Sequence, residues 1–469
     1  MHHALKTTLL LLLTLCLSPD LRGQMFFDDG RMVYAGDSTV EGSYLALGIN
    51  PANLGRVQGQ RKGGTVLQVG GNFYSDGLDF GQVLDLTFTD QALSPEIKRG
   101  ILDQNALSGD DFVYDGNLDV NWLSYSYATP TLGGIAVTVQ DRVASTATVP
   151  NDALGVLLLG GDAPAVQQAS SPSDIYGAGD GTDISYSHIR SVRLGYGRML
   201  ARVRGGNGKG NYRNELFRLY AGVGINMLWG IGYFRGGIEE GQFTSVAAFS
   251  DLYRVNYAQF NIQDPNTQRQ LLSSVGQGFA FDLGLGLDIG DKLSFGASVV
   301  DVGSLVWDQN VLGTSVNFAT IVDSAAQGLI DSYQMGQEVG NLYELVEQRP
   351  VPSFETFLNA QVRLNAAYRI TERMRVGGDL VMPLRSANPE TLDVEAATIT
   401  GSFSWAIVPR FIYLSSGFIY NGSFGARMPL ALSVNLGGRS TLNVSTADLL
   451  TLGLRENPLA SLTLSFSGL

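Results

Sequence analysis

The chain has a single cysteine, Cys16, within an apolar N-terminal run, so the rest of it carries no thiol and needs no disulfide. Histidine is almost as scarce: of three in 469 residues, only His188 lies beyond residue 3. That leaves no zinc-ligand spacing, and neither a metal nor a cofactor is expected. Gly208-Lys209 is followed by Gly210 rather than Ser or Thr, so no phosphate loop is present either. After the N-terminus no apolar run is long enough to cross a bilayer as a helix. Basic residues are outnumbered, 31 against 44 acidic, for a formal charge of -13. Lysine is scarce and no basic stripe exists to neutralise phosphates, so nucleic acid is not an expected partner.

What the chain has is glycine, 58 residues of it, with 10% aromatics and a mean hydropathy of only +0.07. It also has alternation. From Phe279 to Ile289 every second residue is large and apolar, and Ala280, Asp282, Gly284, Gly286 and Asp288 stand between. Period two is a strand signature. Gly290-Asp291-Lys292 turns the chain, and Leu293, Phe295, Ala297 and Val299 resume the apolar face opposite Ser294, Gly296 and Ser298. A hairpin of about ten-residue strands, greasy on one face and small or polar on the other, is the unit of a transmembrane barrel. Asp282 and Asp288 must then face a polar interior, and Phe281, Leu285, Phe295 and Val299 face lipid.

Met1 to Lys6 is weakly basic, Thr7 to Ser18 is an apolar core of secretory length, and Leu21-Arg22-Gly23 fits a cleavage site. Residues 1–23 therefore read as a signal peptide cut near Gly23. A lipoprotein site at Cys16 is the rival, but Leu15 sits where a small residue is required.

Candidate strands follow near Thr65–Tyr74, Gln82–Thr89, Leu118–Tyr127, Ile135–Asp141, Ile184–Arg202 and Leu216–Trp229. After the hairpin they continue near Phe357–Ile370, Met374–Leu384, Val394–Trp405, Phe411–Asn421, Met428–Leu436, Leu442–Thr446 and Leu459–Ser467. Short turns alternate with long links, as in outer-membrane barrels with long external loops and tight periplasmic turns. The count is fifteen, and a barrel with both ends in the periplasm needs an even number, so Leu442–Thr446 is a candidate for removal unless a strand has been missed. Helices are expected at Pro95–Leu107 and, as a loop insert, near 316–348.

Alternation also sets the polar face. Gln361, Arg363, Asn365 and Arg369 oppose an apolar set on one strand, and Arg375 and Asp379 do so on the next. Charges placed there must be paired or wet. With Asp282 and Asp288 they form an expected interior polar network, Asp379 opposing either Arg363 or Asn365. Asp115-Gly116-Asn117-Leu118-Asp119 has the spacing of a calcium loop, but Val120 replaces the required glycine.

Gly36-Asp37-Ser38 with Gly42 resembles the nucleophile block of GDS-type esterases. That chemistry needs an Asp-x-x-His base, yet Ser185 stands three residues before His188. His188 is followed by Ser191 and has no evident orienting acid, so an enzyme is not expected.

A second motif points further. Gly48-Ile49-Asn50-Pro51-Ala52-Asn53-Leu54-Gly55 resembles the Asn-Pro-Ala segment in the N-terminal plug of FadL/PorV-like outer-membrane barrels. Leu293 to Trp307 and the tail from Ser445 are similar to an uncharacterised domain-of-unknown-function group of that superfamily from Bacteroidota. The resemblance implies a closed, all-β, antiparallel transmembrane barrel of fourteen strands, sixteen being the other even count, in the outer membrane of a Gram-negative bacterium. It implies residues 24–60 as a plug carrying Asn50, Pro51, Ala52 and Asn53, and residues 61–469 as the barrel. Outer-membrane lipid and the barrel-insertion machinery would be partners, although the final Gly468-Leu469 lacks the usual terminal aromatic. By the same resemblance the function is uptake or capture of a hydrophobic small molecule through a plugged lumen. The alternative is a non-transporting adaptor that docks a secretion-system partner on its long loops.

Overall fold

The computed structural model describes residues 43–57, 60–75, 95–108, 111–159, 162–168, 177–204, 215–253, 255, 274–317, 348–384, 397–409, 411–421, 425–437, 440–446, 448–449 and 459–467. These form one large antiparallel sheet with few helices. Its strands are β1 (Arg61–Ser75), β2 (Phe112–Thr129), β3 (Gly133–Val149), β4 (Asp183–Arg204), β5 (Glu215–Glu239), β6 (Gln242–Phe249), β7 (Gly276–Ile289), β8 (Leu293–Trp307), β9 (Val311–Asn317) and β10 (Arg349–Pro350). They continue as β11 (Phe354–Phe357), β12 (Gln361–Arg369), β13 (Met374–Pro383), β14 (Thr398–Val408), β15 (Ile412–Asn421), β16 (Gly425–Arg427), β17 (Leu430–Gly437), β18 (Ser440–Thr446) and β19 (Leu459–Ser467). Three helices, α1 (Pro95–Ser108), α2 (Asn151–Leu159) and α3 (Pro164–Gln168), lie in the β1–β2 and β3–β4 links.

Most pairings are between neighbours in sequence. β1 pairs with β2, β2 with β3, β3 with β4, β4 with β5, and β5 with β7. The ladder goes on through β8, β12, β13, β14, β15, β17, β18 and β19, and β19 pairs with β1. β5 changes partner at Ile231, pairing with β7 up to Gly230 and with β6 from Gly232 on. β6 then pairs with β9, and β9 with β10, as an extension beyond the main ladder.

The two faces follow the alternation. On β7, Phe281 is 54% exposed while its neighbour Asp282 is 2% exposed. Val66, Tyr125, Ile135, Leu194, Val223, Leu364, Ile399, Phe418 and Val444 extend the same apolar exposure to other strands. The opposite face buries Gln68, Asn121, Gln140, Arg193, Asn226, Arg363, Thr400 and Ser445. A water-soluble fold does the reverse.

Several sequence expectations need correction. Leu442–Thr446, the candidate for removal, belongs to β18 and pairs on both sides. Phe357–Ile370 is interrupted: β11 ends at Phe357 and β12 begins at Gln361. Asp115 to Asp119 lies within the extended β2, so it forms no calcium loop. The candidate strand Gln82–Thr89, the signal peptide, residues 24–42 and most of the expected 316–348 insert fall outside the described residues; Val316 and Asn317 end β9.

Candidate binding site on the polar face

Residues 43–57 lie against the polar face of β3, β4, β5 and β7. Asn50 makes this possible. Its side chain caps the short 3-10 helix Pro51–Gly55, Oδ1 accepting from the Ala52 N–H at 3.0 Å. Pro51, with its fixed φ, starts that helix where no N–H is needed. Asn50 Nδ2 is then free to donate to the Leu285 carbonyl at 2.9 Å and, more weakly, to that of Ala297. Ser298 Oγ donates to the Ile49 carbonyl. One short polar side chain thus organises its own turn and ties it to β7 and β8. Pro51, Ala52, Asn53, Leu54 and Gly55 are all buried.

The seat is made of missing side chains. A β-carbon at Gly222 would collide with Pro51, one at Gly284 with Asn50, and one at Gly197 with the Pro51 carbonyl. Gly55 faces the backbone of Arg198 at 2.7 Å from an ideal Cβ position, so the approach is close from both sides. Backbone therefore meets backbone at β4 and β5, and the Asn50 side chain meets bare backbone at β7, which only glycine allows. Arg56 locks the far end. Its guanidinium donates to the Phe295 carbonyl, sits 3.6 Å from Asp288 and lies over the Tyr220 ring at 5.6 Å. Asp288 is shared, because Arg218 approaches its other oxygen at 3.6 Å.

Beside this seat is a cavity of about 600 Å³. One wall is apolar, with Leu228, Tyr233, Trp307 and Phe354; Tyr233 has its ring centroid 5.1 Å from those of both Trp307 and Phe354. The other wall is polar and includes Gln140, Arg193, Asn226 and Asp301. Asp301 sits at a register shift: Phe281 pairs with Val302 and Leu283 with Val299, so Asp282 faces two residues of β8. Its φ of 56° is in the left-handed region. A bulge of this kind re-aims a side chain. Here the carboxylate meets Arg193 Nη2 at 3.2 Å and Asn226 Nδ2 at 3.3 Å, while the Asp301 N–H donates to Asp282 at 2.8 Å.

Of the interior residues expected from the sequence, Asp282, Asp288, Arg363 and Asn365 are buried on this face. Arg369, Arg375 and Asp379 are half-buried at its continuation on β12 and β13. The register opposes Asp379 to Asn365 and Arg369 to Arg375. Arg363 is thereby a diagonal neighbour of Asp379, and it donates through Nε and Nη2 to Gln361 Oε1 at 3.1 and 3.0 Å. The structure does not gather these residues into one cluster: Asp282, Asp288 and Asn365 lie by the N-terminal segment, Asn365 and Asn50 both crowding the bare face of Gly296, while Arg369, Arg375 and Asp379 lie further along β12 and β13. Sequence reasoning missed Arg56, Arg193, Asn226 and Asp301. Asp301 carried a signal, an aspartate between Val300 and Val302 where alternation would break.

His188 also differs from expectation. It has an acid neighbour, Asp141 Oδ2 at 4.0 Å from Nε2, and its Nδ1 lies 2.8 Å from the Tyr253 hydroxyl. Arg190 and Trp122 bind the same carboxylate. Ser191 is on the opposite face of β4, lining the cavity, so His188 and Ser191 do not meet.

The toluene transporter TbuX of Ralstonia pickettii aligns at 10% identity over 96% of this chain and 99% of its own, with a TM-score of 0.44. A Pseudomonas putida toluene transporter, TodX, aligns at 11% identity over 93% and 97%, TM-score 0.41. A Pseudomonas aeruginosa FadL homologue aligns at 10% identity over 94% and 97%, TM-score 0.43. At these scores the likeness carries no argument. No curated protein matches the chain. Residues 63–442 do match a sequence family, covering the ladder from β1 into β18, and the chain belongs to that family of unknown function, DUF5723.

Proposed function

We propose that this chain is a closed barrel of fourteen strands in a Gram-negative outer membrane, that residues 44–56 are its plug, and that it passes or captures a small hydrophobic molecule through the lumen. The observation that carries the reading is the inverted exposure of its two faces. Large apolar side chains are exposed on one face while arginines, aspartates and amides are buried on the other. Water would make the first face costly and lipid the second, so the arrangement suits lipid outside and a polar interior. A last strand that pairs with the first leaves no open edge for the membrane to face. Long links also alternate with short ones around the ladder: β2–β3, β7–β8 and β12–β13 turn tightly, and β3–β4, β5–β7 and β8–β12 do not.

The cavity beside the plug gives such a barrel a place for a ligand with an apolar side. The test is conductance in planar bilayers. The intact protein is expected to conduct little, and deletion of residues 44–56 to raise conductance several-fold. Equal conductance with and without the segment would remove the plug from this reading.

The adaptor reading has one observation in its favour. β5, β6, β9 and β10 extend past the main ladder as a ridge that a partner protein would meet first. Trimming Gln242–Phe249 in the protein lacking residues 44–56, with its raised conductance kept but a co-purifying protein lost, would favour it.

A further inference from the structure

We propose that Trp122, Asp141 and Arg190 mark one boundary of the lipid layer on β2 to β4, and that the strand ends beyond them, sheathed on their outer side by the chain's own helices, rest against the lipid headgroups clear of the hydrocarbon. This rests on the membrane reading above and adds where the bilayer ends on the chain. Strand length poses the question. β12, β13, β14 and β15 have 9, 10, 11 and 10 residues, close to the roughly nine to eleven that one crossing takes. β2, β3, β4 and β5 have 18, 17, 22 and 25. These four must leave the hydrocarbon at some level.

The apolar face shows the level. In register, Ile135, Val137, Val139 and Asp141 of β3 pair with Tyr196, Leu194, Val192 and Arg190 of β4. Ile135 and Leu194 are 54% and 41% exposed. At the last of these pairs apolar side chains give way to charge. Arg190 donates to Asp141 through Nε and Nη2 at 2.7 and 2.8 Å, and the Trp122 Nε1–H donates to the same carboxylate at 2.9 Å. Trp122 is nevertheless 48% exposed. Its ring can meet lipid while its polar edge meets the ion pair, the arrangement that places tryptophan at a membrane–water interface. A charged pair on this face would be costly deeper in the hydrocarbon. Gly133 through Asp141 is nine residues, enough for about one crossing.

Beyond that level the same face is covered by the chain itself. Ala147 and Val149 share the face of Asp141 on β3 and pair with Tyr114 and Phe112. Together they pack against Ile101 of α1 and Ala153, Leu154 and Leu158 of α2. Val156 of α2 reaches further round, packing with Ala163 on Ile238, Phe243 and Val316. Tyr186 and His188, the next two residues of β4 on this face, lie under Tyr253, whose hydroxyl contacts the Tyr186 hydroxyl and His188 Nδ1. The cover exposes Arg99, Asp103, Asp152 and Gln167, which suit water and headgroups and not acyl chains. Gln140, Arg142 and Ala144 of β3 line the cavity on the inner side of these strand ends, so the cavity also lies beyond the hydrocarbon.

The experiment is spin labelling of the full-length protein in nanodiscs, with Cys16→Ser removing the one native thiol. Ile135→Cys and Leu194→Cys report below the boundary, Asp152→Cys and Gln167→Cys above it. All four positions are exposed, so the label displaces no packed side chain. Each label's relaxation is measured against oxygen, which concentrates in hydrocarbon, and against a water-soluble nickel chelate. Ile135 and Leu194 are expected to favour oxygen severalfold, Asp152 and Gln167 the nickel chelate severalfold. Oxygen preference at Asp152 or Gln167 would carry the hydrocarbon past the charged pair and overturn this inference alone. Nickel preference at one of Ile135 and Leu194 would do the same. Nickel preference at both would overturn the inference and the membrane reading together.

Discussion

Asn50 stands over the bare backbone of Gly284, so close that a β-carbon on Gly284 would collide with Asn50 Oδ1. The contact joins residues 234 positions apart, counting 284 minus 50, and it works because one side chain caps its own turn while the other is absent. A substitution here acts on the N-terminal segment without changing any polar group. Gly284→Val should therefore unseat the segment and give the raised conductance expected of its deletion. Gly63→Ala, where the nearest atom is 3.8 Å away, is the control and should behave as the wild type.

Asp288 is the acid shared by Arg56 and Arg218, with side chains only 2%, 11% and 13% exposed for Arg56, Asp288 and Arg218. Asp288→Asn leaves two cations close together on a buried face, and typically costs roughly 3–5 kcal/mol. Arg56→Gln leaves the Arg218 pair intact and should cost clearly less. Urea unfolding of both variants in detergent gives the comparison; a larger loss for Arg56→Gln contradicts the shared role.

Arg363 donates twice to Gln361 Oε1, two residues along the same strand. Gln361→Leu removes the acceptor of a buried charged donor, so a loss of about 1–3 kcal/mol is expected in the same unfolding assay. The neighbouring pair in register, Asn365 and Asp379, should show no change in cross-linking when cysteines replace both in the Gln361→Leu background, because the ladder sets their distance.

Facing is testable one residue at a time on β7. Phe281→Cys should react with a lipid-phase maleimide and resist a water-soluble one, and Asp282→Cys should do neither readily while the segment is seated. Reversal of the two labelling patterns would mean that the strand presents its other face to lipid.

Alternation along β7, β8 and β12 was enough to separate an exposed apolar face from a buried polar one, because side-chain direction in a strand is a local property of the backbone. The same reading placed Leu459–Ser467 with the bounds of β19 and Pro95–Leu107 within one residue of α1. Residues that depend on distant neighbours were not legible. Nothing near Asn50 in sequence says that Gly222 and Gly284 lie beneath it. Asp141 is 47 positions before His188, counting 188 minus 141, and only the β3–β4 register brings them together. The bulge at Asp301 is decided by its pairing with β7, and that one extra residue turns an aspartate within an apolar run into the support of the cavity wall. Faces are set by each strand alone; sites are set by register, which is a property of pairs of strands and of the segment they enclose.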